Sequence, residues 1–260
     1  MISMNQIWDD SIAFIRRESA LLVPLALATI YVADVVAGLA QTLAKPNDPN
    51  PLIAIAIIAA ALWSIIGQLS IVSLVLKPGQ SVGEALSHGL ARLGKVILIA
   101  LLVGLVVSVA LLPIAVAAVA SGADPAKPET LQNLPGWISL LVLVVLGGII
   151  WLGVRLALMN ALIVDRNPGV IDAVKSGFAL TQGITARLLL VALLYGVVLL
   201  VVSSAVRFVA GSVFELLGKA VESPFSGAVM TALVSGVVGT AMSLIATVFL
   251  ATLYKHVAKV

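Results

Sequence analysis

The chain contains no cysteine and only two histidines, His88 and His256, in 260 residues. Without cysteine there is no disulfide framework, no thiolate metal site and no cysteine nucleophile. The two histidines stand alone, outside any His-Glu-x-x-His or other metal-ligand spacing, and read as solvated residues. Charge is equally scarce, with Asp, Glu, Lys and Arg making up 10% of the chain and aromatics 5%. A water-soluble domain of this length exposes far more charge, so composition excludes one. Neither a Gly-x-Ser-x-Gly elbow nor a phosphate-cradling glycine loop occurs. The chain therefore reads as a non-enzyme that uses no cofactor.

Apolar runs fill what remains. Hydrophobic residues account for 61% of the sequence, and mean hydropathy is +1.19. A bilayer crossing takes about 20 consecutive apolar residues. By that measure six spans lie near 20–43, 52–76, 95–120, 137–163, 188–209 and 227–254. With short loops they use nearly the whole chain, so the expectation is one all-α integral membrane domain over residues 1–260. The polar stretch Ser3–Arg17 precedes the first span. Ala20–Leu43 is too long for the apolar core of a signal peptide and reads as a retained helix.

The formal charge is +3. In a membrane chain that excess points to topology and contact with anionic lipid, not to nucleic acid. Ten Lys and Arg fall on one side, among them Arg16, Arg17, Lys77, Lys95, Arg166, Lys255 and Lys259. Lys45, Lys127, Arg207 and Lys219 fall on the other. The richer side is expected to be cytoplasmic, which places both termini inside a bacterial inner membrane.

The cytoplasmic segments share a pattern. Ser81-Val-Gly-Glu84 is a capping box opening an amphipathic stripe of Val82, Leu86, Leu90 and Leu93. Asn167 reads as a cap with Pro168 at the first helical position, followed by Ile171, Val174 and Phe178 on one face. Ser3 to Gln6 caps a third stripe of Trp8, Ile12 and Ile15. Glu84-Ala-Leu-Ser-His-Gly-Leu90 aligns with Asp172-Ala-Val-Lys-Ser-Gly-Phe178 residue by residue. The pattern reads as a threefold unit, an interfacial helix and then a transmembrane hairpin, starting near residues 3, 81 and 167. The first copy matches in pattern alone, and the alternative is a twofold repeat with an unrelated N-terminal unit.

The stretch from Arg155 through Asp165 to Gly183 resembles a signature of the glycerophosphodiester phosphodiesterase membrane-domain superfamily and the YciC-type bacterial inner-membrane proteins. Arg155, Asp165, Ala173, Ser176, Leu180, Thr181 and Gly183 carry it. The resemblance implies a polytopic bundle without the soluble phosphodiesterase domain, of which nothing is present. One departure is Asn160-Ala161, where relatives tend to carry a proline.

Two residues are candidate binding sites. Asp34 lies about nine residues inside the outer end of the first span, and an ionisable group in hydrocarbon is a functional candidate by default. Facing the bundle as a hydrogen-bonded or protonated group is its structural reading. Arg155 lies about 15 Å along a helix from Asp165. It needs an oxygen partner, such as Gln68, Asn160 or a lipid phosphate, and a direct pair with Asp34 is not expected. Gly104, Gly147, Gly148, Gly196, Gly236 and Gly239 read as close-packing positions. These readings point to an integral membrane protein with a structural, scaffolding or lipid-interacting role. Its partners would be the bilayer, anionic lipids, and a second copy or another membrane protein. The alternative is a small transporter or lipid-translocating protein using Asp34 and Arg155.

Overall fold

A computed structural model describes residues 3–44, 50–122, 135–220 and 223–258. Lys45, Lys127 and Lys259 lie outside them. The described residues are helical almost throughout, with no strand among them. Six helices are long and apolar enough to cross a membrane, so the chain is an all-α polytopic membrane protein.

The first crossing is broken into pieces. Helix α1 (Met4–Arg17) ends at Glu18, and α2 (Ser19–Ala26) runs into a π-helical segment, Leu27–Tyr31, before α3 (Val32–Leu43). A π turn leaves local carbonyls short of helical donors, and the Ala28 carbonyl accepts instead from Trp63 Nε1 at 2.9 Å. Trp63 lies on α4 (Pro51–Leu76), so the irregular turn is stapled to its neighbour. Gly67 on α4 sits directly against the Thr29 side chain.

Helix α5 (Val82–Ala120) is 39 residues long and starts with the expected capping box of Ser81 and Glu84. At 1.5 Å per residue it measures about 58 Å, almost twice the hydrocarbon thickness. The second amphipathic segment is therefore not a separate interfacial helix but the first turns of a span. Helices α6 (Gly136–Leu156) and α7 (Met159–Arg166) together make the fourth crossing. Helix α8 (Val170–Thr181) is the one interfacial element besides α1 that stands alone among the described residues. Asn167 is not its cap. It closes α7 instead, in the left-handed region at φ +50°, and Gly169 holds the N-cap position of α8. Helix α9 (Thr185–Ala220) continues far beyond the expected end at 209, and α10 (Pro224–Ala258) packs against it.

Each unit's leading helix packs on the returning helix of the unit before it, with the first unit closing the ring. Thus α1 lies on α10, the start of α5 on α4, and α8 on α6. Small residues at matching positions make these contacts: Ala85 and Gly89 on α5, Ala173 and Gly177 on α8, all buried. On α1 the corresponding pair is Ile7 and Ser11. The packed faces are thus rotated from the expected stripes, leaving Leu90 60% and Ile171 68% exposed. The core is concentrated at this end of the bundle. Residues Leu69 through Leu76 of α4 are all buried, as are Ala161–Val164 of α7 and Val248, Ala251, Leu253 and Tyr254 of α10. The far halves of α5, α6 and α9 expose Leu and Val along most of their length, surface that suits acyl chains and not water.

Candidate functional site

Arg155 is the last charged residue of α6, one position before the helix stops. Ala157 and Leu158 form a turn there and α7 restarts at Met159. The break frees the Arg155 carbonyl, which lies 3.5 Å from Thr181 Oγ1 at the end of α8. Its guanidinium reaches the same helix, Nη1 donating to the Phe178 carbonyl at 3.1 Å. The cation also stacks near Trp151 and Phe178, 5.2 and 5.7 Å from their ring centroids. Its Nε is buried without a hydrogen-bond partner. Gln68 is engaged with Ser64 instead. So the oxygen partner expected for Arg155 is a helix carbonyl, and the residue ties α6 to α8. The interruption occurs without a proline in either helix.

Other residues of the same signature are similarly placed. Asp165 Oδ2 accepts from the hydroxyl of buried Tyr254 at 2.7 Å and lies 3.5 Å from Arg166. Ala173 is fully buried, and Gly183 has φ +90° in the turn before α9. Only glycine takes that conformation without strain.

Asp34 belongs to a different place. It stands in the first turn of α3, just past the π segment. A side chain on Gly239 of α10 would meet Asp34 Oδ2 at 3.1 Å, and one on Gly236 would meet Tyr31 and Val35 at 3.1 Å. Thr240 adjoins the carboxylate, but its buried Oγ1 falls short of hydrogen-bond geometry. Asp34 lines a cavity of about 280 Å³ together with Gln41, Ser203, Arg207 and Ser235. A second cavity of about 480 Å³ shares Gly38, Gln41, Arg207 and Ser235 and continues to Thr42 and Glu215. The two form one polar cleft between α3, α9 and α10. It runs from Asp34 toward the end of the bundle opposite the chain termini.

Asp34 stands out in the sequence and its cleft does not, although a signal for the cleft exists. Ser203, Arg207, Gly211 and Glu215 recur every four residues on α9, and Gly227, Thr231, Ser235 and Gly239 do so on α10. Such spacing lines polar or small groups on one helix face. Gly236 and Gly239 do pack closely, as expected, but Gly104, Gly147, Gly148 and Gly196 face open space. Close approaches occur instead at Gly67, Gly89, Gly218 and Gly227.

A third cavity, about 320 Å³ and almost wholly apolar, lies between α6, α9 and α10. Gly153, Leu188, Ala192, Gly196, Ile245 and Phe249 line it, and Trp8 of α1 stands at its rim against Phe249. His256 is not isolated, because its Nε2 lies 3.3 Å from Asp10 Oδ2. No cluster of His, Asp and Glu suited to a metal occurs among the described residues. No protein-family model matches the chain, and neither curated proteins nor solved structures give a match.

Proposed function

We propose that this protein is a non-enzymatic, lipid-interacting component of a bacterial inner membrane, with both termini cytoplasmic. The observation that carries the reading is the apolar cavity between α6, α9 and α10. It is lined by side chains of three membrane-spanning helices and carries almost no polar surface. Its apolar lining fits an acyl chain, the apolar ligand a bilayer supplies in abundance. Trp8 at the rim supports a location near the headgroup level, where tryptophan is favoured. The ten-to-four distribution of Lys and Arg supports the orientation, as does the even number of crossings. The sequence resemblance to the glycerophosphodiester phosphodiesterase membrane-domain superfamily supports the same class.

The test is lipid retention. Protein extracted with native lipid and released in a mass spectrometer should carry bound phospholipid. Ala192→Phe and Gly153→Phe, which fill the cavity, should lose it, while Leu194→Phe on the exposed face of α9 should not. Equal retention in all three variants would reject the cavity as the binding site. Transport remains the second reading, favoured by the polar cleft at Asp34. Arg155, clamped between α6 and α8, lends it no support.

A further inference from the structure

The polar cleft holds three charged groups, the carboxylates of Asp34 and Glu215 and the guanidinium of Arg207. Glu215 is engaged by Lys219 at 2.8 Å, whereas Arg207 has no hydrogen-bond or ion-pair partner among the described residues. Asp34 and Arg207 line the same 280 Å³ cavity yet are not paired with each other, because no ion pair within 4 Å joins them. Ala37, Gly38, Gly236 and Gly239 wall that cavity with the smallest side chains available, which is what keeps it open. Asp34 is half-buried and Arg207 exposed, and at membrane depth each such charge is costly unless it is solvated or met by a ligand.

The charges decide the ligand. A simple cation is attracted by Asp34 and repelled by Arg207, and a simple anion meets the reverse. A molecule with an ammonium at one end and an oxyanion at the other gains from both and enters without moving net charge. Arginine's planar fork matches a phosphate or carboxylate, favouring bidentate contact. Gln41, Ser203 and Ser235 supply neutral donors and acceptors between the two ends. We infer that the cleft between α3, α9 and α10 binds an ammonium–phosphate zwitterion of the phosphoethanolamine type, ammonium toward Asp34 and phosphate toward Arg207. The site is separate from the acyl-chain cavity, with no shared residue, so either can fail without the other.

The ligand chemistry is available free or as a lipid headgroup, and two measurements separate the sources. Full-length protein in detergent is titrated calorimetrically with free phosphoethanolamine. In nanodiscs of phosphatidylethanolamine and phosphatidylglycerol, the lipid retained on the protein is counted by mass spectrometry. Wild type should bind one probe or the other. Asp34→Asn and Arg207→Gln should each weaken that binding at least tenfold. Arg207→Lys should recover part of it, since phosphate accepts a point charge, and this recovery sets a binding role apart from a purely structural one. Thermal unfolding confirms that each variant is folded, and Arg207→Met serves in place of Arg207→Gln if the latter does not fold. Binding by the free probe assigns a soluble zwitterion, and selective retention of phosphatidylethanolamine assigns a headgroup. Binding of neither probe by wild type, or undiminished binding by Asp34→Asn and the Arg207 variants, overturns the proposal.

Discussion

Lys95 of α5 holds Asn167 at the end of the neighbouring helix α7. Its Nζ lies 2.6 Å from Asn167 Oδ1, 3.0 Å from the Asn167 carbonyl and 3.0 Å from the Pro168 carbonyl. All three donors of the ammonium are used. The acceptors sit at the C-terminal end of α7, where carbonyls lack helical partners and a positive charge is favoured. Seventy-two residues separate the two in sequence, so this contact joins the second unit to the start of the third.

Replacing Lys95 with Met should therefore lower stability. Charge-assisted hydrogen bonds contribute about 1.5–3 kcal/mol each when buried, and the partial exposure here reduces that to a total of about 1–2 kcal/mol. Thermal unfolding in detergent reads the effect. Asn167→Gly should be close to neutral, because glycine relieves the positive φ while losing one acceptor. Asn167→Val should be worse than either, since a β-branched residue at φ +50° is strained. A stable Asn167→Val would contradict the left-handed cap.

Arg155 leads to a second comparison. Its partners are a backbone carbonyl and two aromatic faces, and lysine reproduces that geometry poorly. Arg155→Lys should lose about 1–2 kcal/mol, from the hydrogen bond and the stacking together. Arg155→Met keeps apolar contact with Trp151 and Phe178 and should lose no more than the lysine variant. Added anionic lipid should change neither, as the guanidinium already has its oxygen. A lysine variant rescued by anionic lipid would instead identify a phosphate as the partner.

Orientation can be read directly in this cysteine-free chain. Asn5 and Lys219 lie near opposite ends of the bundle, so the single variants Asn5→Cys and Lys219→Cys each place one thiol at one end. An impermeant thiol reagent applied to intact cells should label the Lys219→Cys protein and spare the Asn5→Cys protein. The opposite result inverts the topology.

The parts of the fold set by neighbours in sequence were legible, and those set by distant neighbours were not. Ser81 and Glu84 announce their capping box because both partners lie within one helical turn. The six crossings follow from run length alone. Asn167 misleads because asparagine suits a helix start and a left-handed helix end equally well. The partner of Arg155 is the carbonyl of Phe178, and every residue type has a carbonyl, so side-chain chemistry could not indicate it. Asp34 was visible as an isolated charge, but its cleft depends on how α3, α9 and α10 face one another. The glycines make the same point. Gly148 and Gly239 look alike in sequence, and only packing shows that one faces open space and the other Asp34.

The aligned glycines of the second and third units, Gly89 and Gly177, should respond oppositely to one added methyl. A Cβ on Gly89 would stand 2.8 Å from the backbone oxygen of Ile66 and 2.6 Å from Ser70 Oγ. The hydroxyl could rotate, although it already donates to the Ile66 carbonyl at 2.7 Å. The carbonyl cannot move without shifting α4. Overpacking of this kind costs about 1–3 kcal/mol, which outweighs the roughly 1 kcal/mol that alanine gains over glycine in a helix. At Gly177 the nearest atoms are the Arg155 carbonyl oxygen at 3.7 Å and Leu156 Cδ2 at 3.8 Å. Both are ordinary van der Waals distances, so Gly177→Ala keeps the helix-propensity gain and adds a contact. Its Tm in detergent should rise, while that of Gly89→Ala should fall. Matching shifts of the same sign would mean that the two units pack their leading helices at equal distance, contrary to the asymmetry in the structure.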